Sequence, residues 1–468
     1  MENYGLTVTP YEYQKEGIRK GLEWKRMLIG DEPGLGKTLQ SIGIVHSANA
    51  YPALVICPAS LKINWQREWE RFTGRKALIL SNATAPSWSY MVQMHIFDVV
   101  ICNYESLRKY FVFDIKGDRK NVRLANIIAN PAIKMFRSLI VDESHRVKDS
   151  SAQQTVFTKM LSIGREYVLL LSGTPVVNKP SDLLTQLSII GRLAEFGGMG
   201  QFLARYEIDG KGANLEELKQ KLYETCMVRR EKRKVLTELP DKTRVDLVVP
   251  IGNKEEYETC YNSLKKYLEV YTECEDWEIR RKMRMEMLVR FMTLRSLSGK
   301  GKVDAVIDFV RTFTDGGQKI VLFCSLHDIV DRLRGEFGDE RAAFITGRES
   351  ATQKQEAVDR FQTDAACTIA VCSIKAAGVG LTLTAASTVC FIEFPWTYSD
   401  CCQCEDRCHR IGQKENVTCY YMIGDGTIDG RLYGIIQDKR SVAAQIVGEG
   451  DEIPTEKAYF DEIINILK

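Results

Sequence analysis

The sequence predicts an α/β protein built as two units, each a parallel sheet flanked by helices, with a helical insertion between them. Three observations carry this. Short runs rich in Val, Ile and Leu alternate with helical patterns up to about residue 190, and the same alternation returns after about 300. The interval between has few such runs and long charged helical patterns instead. A chain of 468 residues is also long for one domain and ordinary for two or three. The expected segments are 1–190 (first lobe), 191–300 (helical insertion), 301–430 (second lobe) and 431–468 (a helical brace packing back on the rest).

In the first lobe the candidate strands are RMLIGDE (26–32), ALVICP (53–58), VVICNY (99–104), SLIVDES (138–144) and YVLLLSGT (167–174). They are apolar without strict alternation, as expected of strands covered on both faces. In the second lobe they are KIVLFC (319–324), AAFITG (342–347), CTIAVCS (367–373), TVCFIEF (388–394) and VTCYYMI (417–423).

Composition excludes several classes. No apolar run approaches the ~18 residues of a bilayer span, so no membrane association is expected. The opening MENYGLTVTPYEYQ lacks the basic and apolar regions of a signal peptide, and fourteen cysteines without such a signal predict reduced thiols in a soluble intracellular protein. The net charge of +2 predicts no global attraction to polyanions; any such site must be a local patch. The basic runs RREKRK (229–234) and RRKMR (280–284) read, taken alone, as solvated helix faces.

DEPGLGKT (31–38) follows a strand and opens a helical pattern, the setting of a phosphate-binding loop. Gly34 and Gly36 let backbone N–H groups close on phosphate oxygens, and the helix N-terminus adds partial positive charge. Lys37 is expected at the β- and γ-phosphates and Thr38 on magnesium. Asp31 stands where the strict pattern has its first Gly. DESH (142–145) ends an apolar strand, where α/β sheets bind ligands. Asp142 is placed to hold magnesium, and Glu143 to orient and deprotonate an attacking water.

With these motifs the chain resembles a superfamily-two helicase motor of the Swi/Snf family, and within it the HARP-like annealing-helicase branch, from Tyr11 to about Val447. PYEYQKEG (10–17) resembles the Q motif, where Gln14 would read adenine. ALVICPASLKINWQREWERF (53–72) and VICNYESL (100–107) resemble DNA-contact motifs, and LLLSGTP (169–175) the motif coupling hydrolysis to DNA. MVRREKRKVLTELPDK (227–242), VCSIKAAGVGLTLTAAS (371–387) and QCEDRCHRIGQ (403–413) resemble later motifs in their usual order. Pro33 replaces the usual Met and Ser144 the usual Ala or Gly. The resemblance implies two RecA-like lobes, with ATP and Mg2+ as cofactors. It implies backbone-groove contacts to DNA at Lys62, Asn103, Tyr104, Ser325, Lys375 and Gly378, with Trp396 near the minor groove. His145, Thr174 and Gln413 take coupling roles. The implied activity is ATP-dependent translocation on duplex or branched DNA without sequence preference: branch migration, fork remodelling, reannealing and limited unwinding. A monomer on DNA, replication or recombination proteins as further partners, and a bacterial cytoplasm (phage-infected or not) or a nucleus complete the expectation. The alternatives are an RNA-dependent enzyme of the same superfamily and a non-catalytic, nucleotide-gated DNA clamp.

In CCQCEDRCHRIGQ (401–413) a helix over 400–411 would put Cys401, Cys404 and Cys408 on one core-facing stripe. A structural zinc site draws ligands from two separated pairs, so small buried thiols are expected and zinc is not. Arg407 and Arg410 would then leave another face and reach the γ-phosphate held by the first lobe.

Overall fold

Strands that are apolar along their whole length need cover on both faces, and each sheet receives it. A computed structural model describes residues 3–118, 122–173, 180–208, 211–236, 238–374, 381–395, 398–446 and 464. The chain divides into two units, residues 1–238 and 239–468. The boundary falls inside the interval 191–300, so the expected insertion is shared between the units.

The sheet of unit 1 contains β1 (Arg26–Ile29), β2 (Ala53–Cys57), β3 (Ala77–Ile79), β4 (Val99–Asn103), β5 (Ser138–Asp142), β6 (Tyr167–Leu171) and β7 (Met227–Val228). Its order is β7-β1-β6-β5-β2-β4-β3, with every neighbour parallel. β2, β5 and β6 are buried throughout. Helices α1 (Glu12–Trp24), α2 (Lys37–Ser47), α3 (Lys62–Thr73) and α4 (Asp182–Ile189) bear on the site below.

Unit 2 has β8 (Lys242–Val249), β9 (Ile320–Cys324), β10 (Ala342–Ile345), β11 (Ile369–Ser373), β12 (Thr388–Phe391) and β13 (Val417–Gly424). The order is β8-β13-β12-β9-β11-β10, again all parallel. Alternate residues of β9 feed two separate cores: Val321 and Phe323 one, Ile320, Leu322 and Cys324 the other. The long helices α5 (Lys254–Glu273) and α6 (Trp277–Gly301) pack Tyr257, Leu264, Leu268, Phe291 and Leu294 into the first of these cores, so they belong to unit 2. Arg280, Arg281 and Lys282 are exposed on α6, as the charge run predicts. The last helix described, Asp429–Ile446, buries Leu432 and Ile436 in the same core.

Ten strands lie where the apolar runs place them. Of the strands described in these two sheets, three lie elsewhere. β8 reads KTRVDLVV; as an edge strand only partly buried it carries Lys, Arg and Asp, which hid it within the expected helical interval. β3 and β7 have three and two residues, too few to show a period.

Candidate nucleotide site

The phosphate loop joins β1 to α2, and its glycines are required by geometry. Gly34 has φ +88° and Gly36, which caps α2, has φ +74°. A Cβ on Gly36 would also stand 2.4 Å from Gln14 Nε2. Gln14 is buried beneath the loop: its Nε2 donates to the Leu35 carbonyl (3.1 Å) and its Oε1 accepts from the Tyr11 N–H (3.0 Å). The Tyr13 hydroxyl donates to the same Leu35 carbonyl at 3.0 Å. The Q-motif glutamine thus supports the loop from α1. Lys37 is the first residue of α2, and its Nζ donates to the Asp31 carbonyl at 2.7 Å. Burial lowers its pKa, opposed by the carboxylates of Glu143, Asp31 and Asp142. Thr38 follows it, half-buried.

The acidic pair sits at the end of β5, in the same sheet. Asp142 is fixed through both oxygens: Oδ2 accepts from Trp65 Nε1 on α3 (2.9 Å) and Oδ1 from the Glu143 N–H (3.0 Å). Burial, then the neighbouring charge of Glu143, pushes its carboxyl up to about 6. Two carboxylates held this way against their own repulsion suit a divalent cation, which would relieve both causes. Asp142 and Thr38 are the residues that would hold magnesium, and the cation would supply charge neutralisation on the phosphates. Glu143 itself lies in the left-handed region (φ 53°, ψ 51°), a conformation of order 1 kcal/mol costly for a residue with a Cβ and concentrated at functional sites.

Neighbouring motifs lock onto this pair. His145 Nδ1 lies 3.3 Å from Glu143 Oε2 and 3.2 Å from Ser172 Oγ, joining the acidic motif to the segment after β6. Ser144, in the place of a smaller residue, donates to Gln186 on α4 at 2.9 Å. A Cβ on Gly173 would stand 2.9 Å from Pro33 Cγ, so the glycine permits the close approach that Pro33 makes.

Tyr104 requires a correction. Expected in the DNA groove, it is 2% exposed, its hydroxyl donates to the Asp142 carbonyl, and Arg146 lies 4.9 Å over its ring. It is a strut beneath the acidic pair. Asn103 binds its own neighbours, Glu105 (2.8 Å) and Ser106 (2.9 Å). Lys62 is half-buried at the start of α3 and Ser325 is exposed after β9, its N–H on Glu393 Oε2 at 2.7 Å. Thr174, Lys375, Gly378 and Trp396 lie outside the described residues.

The start of the run 229–234 is a second correction: Arg229 and Arg230 do not lie on a solvated helix face, although Glu231 and Lys234 are exposed. β7 pairs with β1 at the sheet edge, and the arginines that follow turn inward. Arg229 Nη1 donates to the carbonyls of Gly30 and Gly173, both at 2.9 Å. Arg230 Nη1 donates to Asp31 Oδ2 (3.0 Å) and Gln40 Oε1 (3.3 Å). The signal in the sequence was the buried Asp31 in a glycine's place, which requires a cation.

In unit 2 the arginine-bearing turn is built by its own frame. The helix Tyr398–Glu405, here α7, ends at Glu405 and turns follow, so the expected helix over 400–411 stops six residues early. The cysteines are still buried, and Cys401, Cys404 and Cys408 join the core. Burial raises their thiols, the setting of inert side chains. Among the described residues no group of three or more metal-binding side chains forms a cluster. Glu405 is 0% exposed and is held by Arg244 (2.6 Å to each oxygen), Lys242 (2.9 Å) and the Tyr421 hydroxyl (2.8 Å). Arg407 is nearly buried; its carbonyl accepts from the Leu383 N–H at 2.8 Å. Arg410 Nη1 donates to the Leu381 carbonyl at 3.1 Å. Gln413 Nε2 donates to the carbonyls of Ala386 (2.8 Å), Cys408 (3.1 Å) and Thr384 (3.3 Å). The loop 381–386 and the turn 406–413 are therefore one knitted piece.

A parallel sheet with a glycine–lysine loop after one strand and an acidic pair after another defines unit 1 as a phosphate-loop nucleotide-binding unit. The chain belongs to the SNF2-related family: residues 13–300 match the SNF2-related domain, and residues 301–412 the helicase conserved C-terminal domain. It is 32% identical over 465 residues to the "SWI/SNF-related matrix-associated actin-dependent regulator of chromatin subfamily A-like protein 1 homolog" of Caenorhabditis elegans, covering 95% of this chain and 63% of that protein. It is 28% identical over 470 residues to the human "DNA annealing helicase and endonuclease ZRANB3", covering 95% of this chain and 41% of that one. A Sulfolobus solfataricus SWI2/SNF2 ATPase core solved in complex with dsDNA matches with 21% identity and a TM-score of 0.45, covering 99% and 98% of the two chains. The chain thus spans less than two thirds of the length of these curated relatives. No helix among the described residues is long and apolar enough to cross a membrane.

Proposed function

We propose that the chain is an ATP-driven motor that translocates on duplex or branched DNA, with branch migration, fork remodelling and reannealing as its work. The observation that supports this best is the placement of Lys37, Asp142, Glu143 and His145 on elements that follow or end strands of one sheet in a SNF2-family unit, each held by a named partner. Lys37 would bind the β- and γ-phosphates, and Glu143 would orient the attacking water and take its proton. His145, hydrogen-bonded to Ser172, would report the state of Glu143 to the segment after β6. Arg407 and Arg410 of unit 2 would reach the terminal phosphate when the two units close on ATP, and phosphate release would undo that closure. Lys62 and Ser325 would contact the DNA backbone, which gives affinity without sequence readout.

ATPase rates with plain duplex, forked duplex, four-way junction, single-stranded DNA and RNA test this reading. The greatest stimulation is expected from duplex or branched DNA. Greatest stimulation by RNA would instead make the chain an RNA-dependent enzyme.

The acidic pair adds a pH dependence. The carboxyl of Asp142 is raised from an ordinary 3.8 to about 6, so in the unliganded protein it holds its proton below about 6, and a cation must displace that proton. The magnesium-dependent part of ADP affinity is therefore expected to be complete above pH 7. Below pH 6 it should fall by about tenfold per pH unit, because a ligand carboxylate must be deprotonated. Titrations of ADP with magnesium and with EDTA between pH 5 and 8 measure it; a flat difference would remove Asp142 as the metal carboxylate.

A further inference from the structure

Asp31 occupies the first position of the phosphate loop, where a glycine would leave room, and it is completely buried. A buried carboxylate persists only if it is paired. Its Oδ2 accepts from Arg230 Nη1 at 3.0 Å and from Gln40 Nε2 at 2.8 Å, while Oδ1 is buried with no hydrogen-bond partner. Of these two contacts at Oδ2, only the guanidinium carries compensating charge. That guanidinium is well placed: Arg230 is largely buried, lies 5.9 Å from the Tyr13 ring, and reaches Glu16 on α1 at 3.3 Å.

The backbone around it is tied to the same loop. The Gly30 N–H donates to the Val228 carbonyl (2.7 Å), the Glu32 N–H to the Arg230 carbonyl (3.1 Å), and the Lys232 N–H to Glu32 Oε2 (2.7 Å). What Asp31 does in turn bears on chemistry, because its carbonyl is the acceptor on which Lys37 Nζ rests. The chain of contacts runs Arg230, Asp31, Lys37. It starts just after the last strand of unit 1, nine residues before the chain enters unit 2 at Leu239.

We infer that Arg230 is a positioning residue for nucleotide binding: acting through Asp31, it sets the shape of the phosphate loop and the place of Lys37, and it ties the chain's exit from unit 1 to that loop. This deepens the nucleotide-binding part of the proposed function and rests on it. It assigns a role to a basic run that would otherwise count as surface charge.

The test is binding of a fluorescent ADP analogue with magnesium and no DNA, alongside nucleotide-free duplex binding and thermal melting. Arg230→Gln is expected to weaken the analogue by about tenfold or more, since small misplacements at a phosphate site are costly, with duplex affinity kept within about twofold. Arg230→Lys keeps the charge but not the fork that puts Nη1 on Asp31 and Gln40 and Nη2 on Glu16, so it should recover part of the loss. The decisive variant is Asp31→Asn/Arg230→Gln, which removes the uncompensated charge and should bind the analogue more tightly than Arg230→Gln alone. If Arg230→Gln does not fold, the double variant and Arg230→Lys carry the test. Unchanged analogue affinity in Arg230→Gln, or a double variant no better than the single, would overturn the inference, as would a wild type that binds no analogue. A wild type that binds the analogue but is stimulated by no DNA would sink only the DNA-motor reading.

Discussion

Glu143→Gln is expected to bind ATP as well as the wild type and to hydrolyse it about 10²–10⁴ times more slowly, the usual contribution of a positioned general base. The substitution keeps the shape of the side chain. The left-handed backbone at 143 and the hydrogen bond from its N–H to Asp142 Oδ1 do not depend on the carboxylate, so local geometry should survive. What changes is charge. Asp142 loses the neighbour that is the second cause of its raised pKa, so it should deprotonate more readily and hold magnesium at least as well. Lys37 loses the largest of the charges favouring its protonated form, a smaller matter for an ammonium that also faces Asp31 and Asp142. Binding and hydrolysis therefore separate. Nucleotide affinity by titration and hydrolysis in a single turnover measure the two, and turnover within about threefold of wild type would exclude Glu143 as the base, whose expected contribution is far larger. A wild type without turnover would favour the nucleotide-gated clamp.

What could be read from the sequence follows from what each residue must satisfy alone. Strands buried on both faces are apolar whatever their neighbours, so β2, β5, β6 and β9 were visible as runs. β8 was not, because its Lys242 and Arg244 turn inward onto the buried Glu405 while Thr243, Asp246 and Val248 are exposed, a mixture with no apolar run, and its assignment depends on pairing with β13. Gly34, Gly36 and Lys37 were legible because a phosphate loop restricts residue types at fixed spacing. Tyr104 was misplaced for the opposite reason: its spacing matches a DNA-contact motif, yet whether its hydroxyl turns to solvent or to the Asp142 carbonyl is decided by the pairing of β4 with β2 and of β2 with β5. Arg229 and Arg230 were visible as charge but not as contacts, since their partners lie about 200 residues earlier. The helix end at Glu405 was also hidden. Its carboxylate is pulled by Lys242 and Arg244, a pairing no local period records.

Arg410→Ala is expected to give the largest loss, about 10³–10⁵ in turnover, if its guanidinium meets the terminal phosphate as proposed. That is ~4–7 kcal/mol of transition-state stabilisation, far above the ~0–1 kcal/mol of an exposed ion pair. Affinity for ADP should stay within about twofold, because the phosphate loop that holds it belongs wholly to unit 1. Arg410 is a cleaner site for this than Arg407. Arg407 is nearly buried, and its backbone pairs with Leu383 and Cys404, so its truncation would open a space inside the turn. Arg410 is half-buried, and its contact at Leu381 is to a backbone carbonyl, one of several ties between the turn and 381–386. The frame that carries the turn, Glu405 on Arg244 and Lys242 with Gln413 across 381–386, does not involve the Arg410 side chain. Melting temperature should therefore change little. Arg410→Lys restores the charge without the planar fork, so it should recover only part of the lost rate. DNA-stimulated ATPase of the three proteins at saturating ATP decides the matter. Turnover of Arg410→Ala within about tenfold of wild type, with Arg407 intact, would mean that the chemistry on the loop of unit 1 does not use this guanidinium.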